Sequence, residues 1–171
     1  MNLRLEVFNL SDLTRKSFIL SNDMRKYFLK IGIERNKGAS KSGHFPTNVH
    51  PFYFCMIMGI AKGKMGKPQD MDKDMVDEWK HDAAKNEHYI SGLTFFMHCK
   101  SMGLLTAEAD DRILKQMGVF FSDTSNRGFS SEGYSLMNQY AQGGFEIINE
   151  ELDGMTDLAD WFSLYLALLS E

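Results

Sequence analysis

Two adjacent glycines, Gly143 and Gly144, lie inside a stretch whose other apolar residues recur at helical spacing. That spacing runs from Tyr134 to Leu152 and predicts one long helix. Glycine in a helix interior costs about 1 kcal/mol relative to alanine, so two in succession need a compensating structural reason. A close helix crossing, a kink, or a small-residue groove for a partner would each supply one. We favour the close crossing.

A second apolar helix follows this one and ends the given sequence. Thr156 is expected to cap this second helix. The apolar stripe of the helix is so wide that the helix is central to the fold or part of an oligomer interface. The two helices are predicted to form a hairpin. The residues expected to carry its packing or an interface are Tyr140, Gly143, Gly144, Trp161 and Tyr165.

The remaining apolar stripes are helical as well. A chain of 171 residues, 43% hydrophobic and 25% charged, is typical of one globular domain with a real core. The expected core rows are Ile90, Leu93, Phe96 and Met97 in one helix, and Ala109, Ile113, Met117 and Phe120 in the next, with Thr106 as the cap of the latter. We predict a single all-α domain of about six or seven helices. The alternation from Leu3 to Val7 also allows a short N-terminal strand or arm.

Charge divides the chain into a basic front and an acidic body. Residues 1–50 carry nine Lys or Arg against four Asp or Glu, whereas residues 51–171 carry ten against nineteen. We therefore describe residues 1–48 as a basic helix and linker and residues 49–171 as an acidic helical body. The two parts could dock on one another or face different partners.

The basic residues are the candidates for contact with a phosphate backbone. A solvated linker at 34–48 and an ordinary Lys/Gly turn at 62–67 are the competing interpretations. The polar loop at 122–131 is long enough to bind a ligand or simply to connect helices. The candidate nucleic-acid-binding residues are Arg25, Lys26, Lys30, Arg35, Lys37, Lys41, Lys62, Lys64 and Lys67.

No sequence pattern identifies a catalysed reaction. Asp70, Glu78 and Lys80 imitate the acidic-x-Lys arrangement of metal-dependent nucleases, but residues two apart on a helix point away from each other. Adjacent His98 and Cys99 splay about 100° apart on a helix, so they make no catalytic dyad. The sequence therefore favours a protein without catalytic residues, cofactor or metal, with the nuclease as the alternative.

Targeting signals are not expected in this chain. No basic-then-apolar leader and no long uncharged apolar run occurs, and the two cysteines form no disulfide or zinc pattern. A cytoplasmic protein with no membrane contact is the prediction.

Three segments resemble a small family of proteins associated with bacterial Dnd DNA-phosphorothioation defence systems. The stretch from Tyr140 to Glu146, Tyr-Ala-Gln-Gly-Gly-Phe-Glu, is similar to that family's Tyr-Ala-Asn-Gly-Gly-Leu-Glu ending. The apolar helix and Lys/Gly turn at 50–67 and the helix at 89–105 are similar to its other segments. The resemblance covers about half the chain and transfers no catalytic residue. It implies an accessory or regulatory protein of a DNA-modification, anti-phage system that binds a partner protein, with DNA as a further candidate ligand. A purely structural, homo-oligomeric subunit is another alternative.

Overall fold

The computed structural model describes residues 18–31, 49–67, 87–106, 109–121 and 129–171, with the side chains of residues 87 and 88 excepted. These ranges contain six helices, and their extended pairing is limited to isolated bridges such as the one between Phe121 and Phe129. The prediction of a compact all-α domain is therefore confirmed. The predicted N-terminal strand or arm, the linker at 34–48, the loop at 122–128 and the nuclease-like residues at 70–80 lie outside the described ranges. The helices are α1 (Asn22–Lys30), α2 (Val49–Lys62), α3 (Glu87–Ser101), α4 (Asp110–Phe120), α5 (Ser131–Glu151) and α6 (Leu158–Ser170).

The centre of the fold is a crossing of α2 and α5 at which the two backbones touch. A Cβ atom added to Gly144 would lie 2.5 Å from the backbone nitrogen of Gly59 and would also collide with the carbonyl oxygen of Cys55. A Cβ atom added to Gly59 would lie 2.8 Å from the carbonyl carbon of Tyr140. Cβ atoms essentially never approach other atoms this closely, so only glycine fits at either position. The close-crossing interpretation of the glycine pair agrees with this geometry.

The Lys/Gly turn after α2 extends the same contact. Gly63 ends α2 with a φ of 64°, in the left-handed region that favours glycine. The backbone N–H of Gly66 then donates to the carbonyl oxygen of Gln139 at 2.9 Å. A Cβ atom on Gly143 would lie 2.9 Å from the backbone nitrogen of Gly66. Gly66 therefore extends the crossing, whereas Gly63 ends α2.

Helices α1 and α6 cover α2 through one aromatic cluster. The fully buried indole of Trp161 donates from Nε1 to the Tyr27 hydroxyl at 3.1 Å, and that hydroxyl donates to the carbonyl oxygen of Leu152 at 2.9 Å. The Tyr165 ring stacks on Trp161 with centroids 5.0 Å apart, and its hydroxyl donates to the carbonyl oxygen of Phe54 at 2.9 Å. Helix α6 thus packs chiefly across α2 and α1 rather than along α5, and the predicted hairpin is wrong. Its cap is Asp157, which accepts from two backbone N–H groups, and not Thr156.

Helices α3 and α4 form a second packing unit beside the start of α5. The rings of Phe95, Phe120, Phe121 and Phe129 join them to the main core, and Cys99, Leu104 and Ala109 make a small separate cluster. Helix α4 begins at Asp110 after Ala109, so Thr106 is not its cap.

The core rows predicted for α3 and α4 are partly wrong. Phe96 is 50% exposed, Leu93 42% and Met117 41%, whereas Ser91 and Thr94 are buried. Thr94 can lie inside because its hydroxyl donates to the carbonyl oxygen of Ile90 at 2.8 Å, which satisfies the polar group locally. Helix α3 therefore buries Ser91 and Thr94 beside Ile90, while Leu93 and Phe96 face outward.

Candidate functional site

The predicted nucleic-acid-binding residues are only partly described by the structure. Arg35, Lys37 and Lys41 lie outside its described ranges. Among the others, the ammonium of Lys26 lies 3.4 Å from the Asp23 carboxylate, and that of Lys64 lies 3.3 Å from Glu146. Arg25 is half-buried, while Lys30 and Lys67 are exposed and Lys62 is partly exposed. The charges of Lys26 and Lys64 are thus locally offset by carboxylates, and DNA binding stays a prediction.

The five residues predicted for packing or an interface all lie inside the chain's own core. Tyr140, Trp161 and Tyr165 are at most 2% exposed, and Gly143 and Gly144 are buried in the crossing. Burial raises the pKa of Tyr140 and Tyr165. These residues are thus committed to intramolecular packing.

The two cysteines, Cys55 and Cys99, are buried and pack like small hydrophobic residues. Cys55 is 0% exposed and Cys99 1%, and burial raises the pKa of both, so neither is a thiolate near neutral pH. Cys99 packs on Leu104 and Ala109, away from the cavity that the neighbouring His98 lines. Within the described residues, no group of three His, Cys, Asp or Glu side chains is arranged to hold a metal ion.

A cavity of about 230 Å³ lies among α3, α4 and α5, and the sequence did not reveal it because its residues come from three helices. Burial lowers the pKa of His98, which hydrogen-bonds with Gln116. Gln139 donates to the hydroxyl of Ser135 at 3.2 Å on the opposite wall. Gln139 and Ser135 are therefore paired with one another, whereas the buried Nδ1 of His98 has no hydrogen-bond partner among the residues that the structure describes. The lining residues are His98, Gln116, Val119, Phe120, Glu132, Ser135, Leu136 and Gln139.

The outward side of α3 carries several exposed apolar side chains. We call Tyr89, Gly92, Leu93, Phe96 and Lys100 the α3 outer face, because their spacing of three and four residues places them on one side of the helix. Tyr89 is 79% exposed, and a Cβ atom on Gly92 would meet no atom within 4 Å. A contiguous exposed apolar patch is typical of a protein-binding surface.

Sequence periodicity placed two residues of this face, Leu93 and Phe96, on the inner side of α3. Both fit the apolar stripe that Ile90 begins, although only Ile90 is buried. The buried Ser91 and Thr94, spaced three residues apart, are the signal that identifies the true inner side.

No protein-family model, curated protein or solved structure matches the chain. Within the described residues, none of the helices is both long and apolar enough to cross a bilayer.

Proposed function

We propose that this chain is a non-enzymatic accessory protein of a bacterial DNA-modification, anti-phage system and that it binds a partner protein through the α3 outer face. The resemblance of the Tyr140–Glu146 segment to Dnd-associated proteins suggests the system. The exposure of Tyr89, Leu93 and Phe96 on one helix side is the single observation that supports the binding role.

The surface chemistry indicates what kind of partner fits. The exposed side chains of Tyr89, Leu93 and Phe96 surround Gly92. The space that a side chain at Gly92 would occupy is open. An apolar helix of the partner can therefore approach the α3 backbone closely there, as α5 approaches α2 at Gly59. Lys100 at the end of the same face adds a positive charge, which favours an acidic residue at that end of the partner helix.

Binding to the purified products of the neighbouring genes tests this proposal. Phe96→Asp places a charge in the middle of the apolar face and is expected to weaken binding of the partner at least about thirtyfold, the effect of losing an interface hot spot. Leu166→Asp is the matched control, because Leu166 is a 61% exposed apolar residue on α6. It should bind like the unchanged protein.

Thermal unfolding of both variants checks that the fold is intact. Comparable Tm values with selective loss of binding in Phe96→Asp would support the proposal. Unchanged binding by Phe96→Asp, or no binding of any neighbouring gene product by the unchanged protein, would contradict it.

A further inference from the structure

The cavity among α3, α4 and α5 has an ordered wall on its α5 side. The lining residues of that wall follow one another at three, four and seven positions, which places them on one side of the helix. They are Glu132, Ser135, Leu136 and Gln139. Seven residues of α-helix rise about 10 Å, so the Glu132 carboxylate and the Gln139 amide belong to opposite ends of the wall.

The end of α4 lies at the Glu132 end of the cavity. The backbone N–H of Ser130, the N-cap of α5, donates to the carbonyl oxygen of Phe120 at 3.0 Å. Val119 and Phe120 therefore line the cavity close to Glu132. Gln116 lies one helical turn before Val119 and is further from this junction.

The other end of the cavity is lined by neutral groups that form hydrogen bonds. The side chain of Tyr140, which follows Gln139, hydrogen-bonds with that of Ser101, three residues after His98. His98 and its partner Gln116 therefore lie toward the Gln139 end. Burial lowers the pKa of His98, so the ring is uncharged at neutral pH.

The charge of the cavity is negative and is not offset by a neighbour. Its lining includes Glu132 but, among the residues that the structure describes, neither Lys nor Arg. In the same described part of the chain the Glu132 carboxylate forms no ion pair. A bound cation would be attracted to this carboxylate, and a bound anion would be repelled by it.

The volume limits the size of an occupant. At about 230 Å³ the cavity is larger than the roughly 150 Å³ at which an apolar cavity binds benzene. Val119 and Leu136 supply apolar surface between the charged end and the neutral end. One aromatic ring with a short side chain matches this volume.

We propose that this cavity binds a small organic cation, a primary amine joined by a short chain to one aromatic ring. The ammonium pairs with Glu132, the ring lies between Val119 and Leu136, and a hydroxyl on the far side of the ring bonds with the amides of Gln116 and Gln139. This site is separate from the α3 outer face, because His98 is two residues from both Phe96 and Lys100 and projects from the other side of α3.

Tyramine carries all three features and serves as the test compound. Titration of the full chain, labelled with ¹⁵N and followed by NMR near neutral pH, is expected to give a Kd of about 1 mM or lower, typical of a ligand this small. The control compound 3-(4-hydroxyphenyl)propionate keeps the ring and the hydroxyl but replaces the ammonium by a carboxylate. It should bind at least about tenfold more weakly, since an attraction becomes a repulsion.

Two variants assign the two ends of the site. Glu132→Gln should weaken tyramine binding about three- to fivefold, the range for one exposed ion pair, and should reduce the preference for tyramine over the carboxylate compound. Gln139→Leu should weaken binding of tyramine but not of phenethylamine, which lacks the hydroxyl. Glu150→Gln is the matched control, because Glu150 is an exposed glutamate near the other end of α5 and outside the lining. It should bind like the unchanged protein.

The same spectra show whether each variant is folded. Absence of shift changes with tyramine at millimolar concentration would overturn the proposal, as would equal binding of the carboxylate compound or full binding by Glu132→Gln. A loss of binding in Glu150→Gln as large as that in Glu132→Gln would also overturn it, because the amine would then be attracted by the acidic surface in general. None of these measurements requires a protein partner, so they do not depend on the proposed role of the α3 outer face.

Discussion

At the scale of single residues, glycine has two opposite roles in this molecule. Gly144 stands where any side chain would enter the backbone of α2, while Gly92 stands on a helix surface with open space beside it. The first is required by packing within the chain. The second lowers the helix propensity of α3 without an internal reason.

Alanine substitution should separate the two roles. Gly144→Ala is expected to lower the free energy of unfolding by about 2 kcal/mol or more, because the α2 and α5 backbones must move apart. Gly92→Ala should raise it by roughly 0.5–1 kcal/mol, since only helix propensity changes. Urea denaturation followed by circular dichroism measures both. A Gly144→Ala variant of unchanged stability would instead indicate that the glycines line a partner groove.

At the scale of elements, the contact between α1 and α6 combines the packing of Phe28 on Trp161 with the hydrogen bonds of one buried hydroxyl. The Tyr27 hydroxyl accepts from Trp161 and donates to the carbonyl oxygen of Leu152, so it joins both helices to the end of α5. Burial raises the pKa of Tyr27 from 10.0 to about 12, and this outweighs the opposing effect of the Trp161 hydrogen bond.

This shift predicts how stability changes in alkali. Between pH 10 and 12 the unfolded chain loses the Tyr27 proton while the folded chain keeps it, so the free energy of unfolding falls as pH rises. Below pH 10 the contribution of this pKa difference to the free energy of unfolding is fully present. Tyr27→Phe should be less stable at neutral pH by about 1 kcal/mol, from the lost hydrogen bonds, but its stability should decline less steeply through this window. Denaturation midpoints measured across the window test this, and parallel slopes for the two proteins would refute it.

At the scale of the whole molecule, packing is uneven. The crossing of α2 and α5, with α1 and α6 against it, contains the main core, whereas Cys99, Leu104 and Ala109 form a small cluster between α3 and α4. Regions with less buried apolar contact open more readily than the global core. The α3–α4 unit should therefore open first.

Thiol labelling can observe this order directly. Cys55 and Cys99 are both buried in the native state, so neither should react quickly with a thiol reagent. In mild denaturant Cys99 is expected to react well before Cys55. Cys55→Ala and Cys99→Ala, which each leave one thiol, assign the two rates. Equal rates at all denaturant concentrations would show that the molecule opens as one unit.

How much the sequence could predict depended on whether a feature was local. The glycine pair was interpretable because the cost of glycine in a helix is local and demands a reason. The inner side of α3 was not, because Leu93 and Phe96 satisfy the same periodicity as a core stripe and only the contacts of Ser91 and Thr94 reveal the orientation. The hairpin prediction failed because Trp161 and Tyr165 of α6 form hydrogen bonds with Tyr27 and Phe54. These partners are distant from α6 in the chain, so local sequence does not indicate them. The cavity required the arrangement of three helices.

The crossing of α2 and α5 also bears on how this protein can evolve. Where side chains meet, a change on one helix can be compensated by a change on the other, and such pairs vary together among relatives. Here Gly59 meets Gly144 backbone to backbone, so no substitution on one helix can make room for a side chain on the other. We expect relatives to hold these positions fixed. Methods that infer contacts from correlated variation would then detect nothing at the closest helix contact in the molecule.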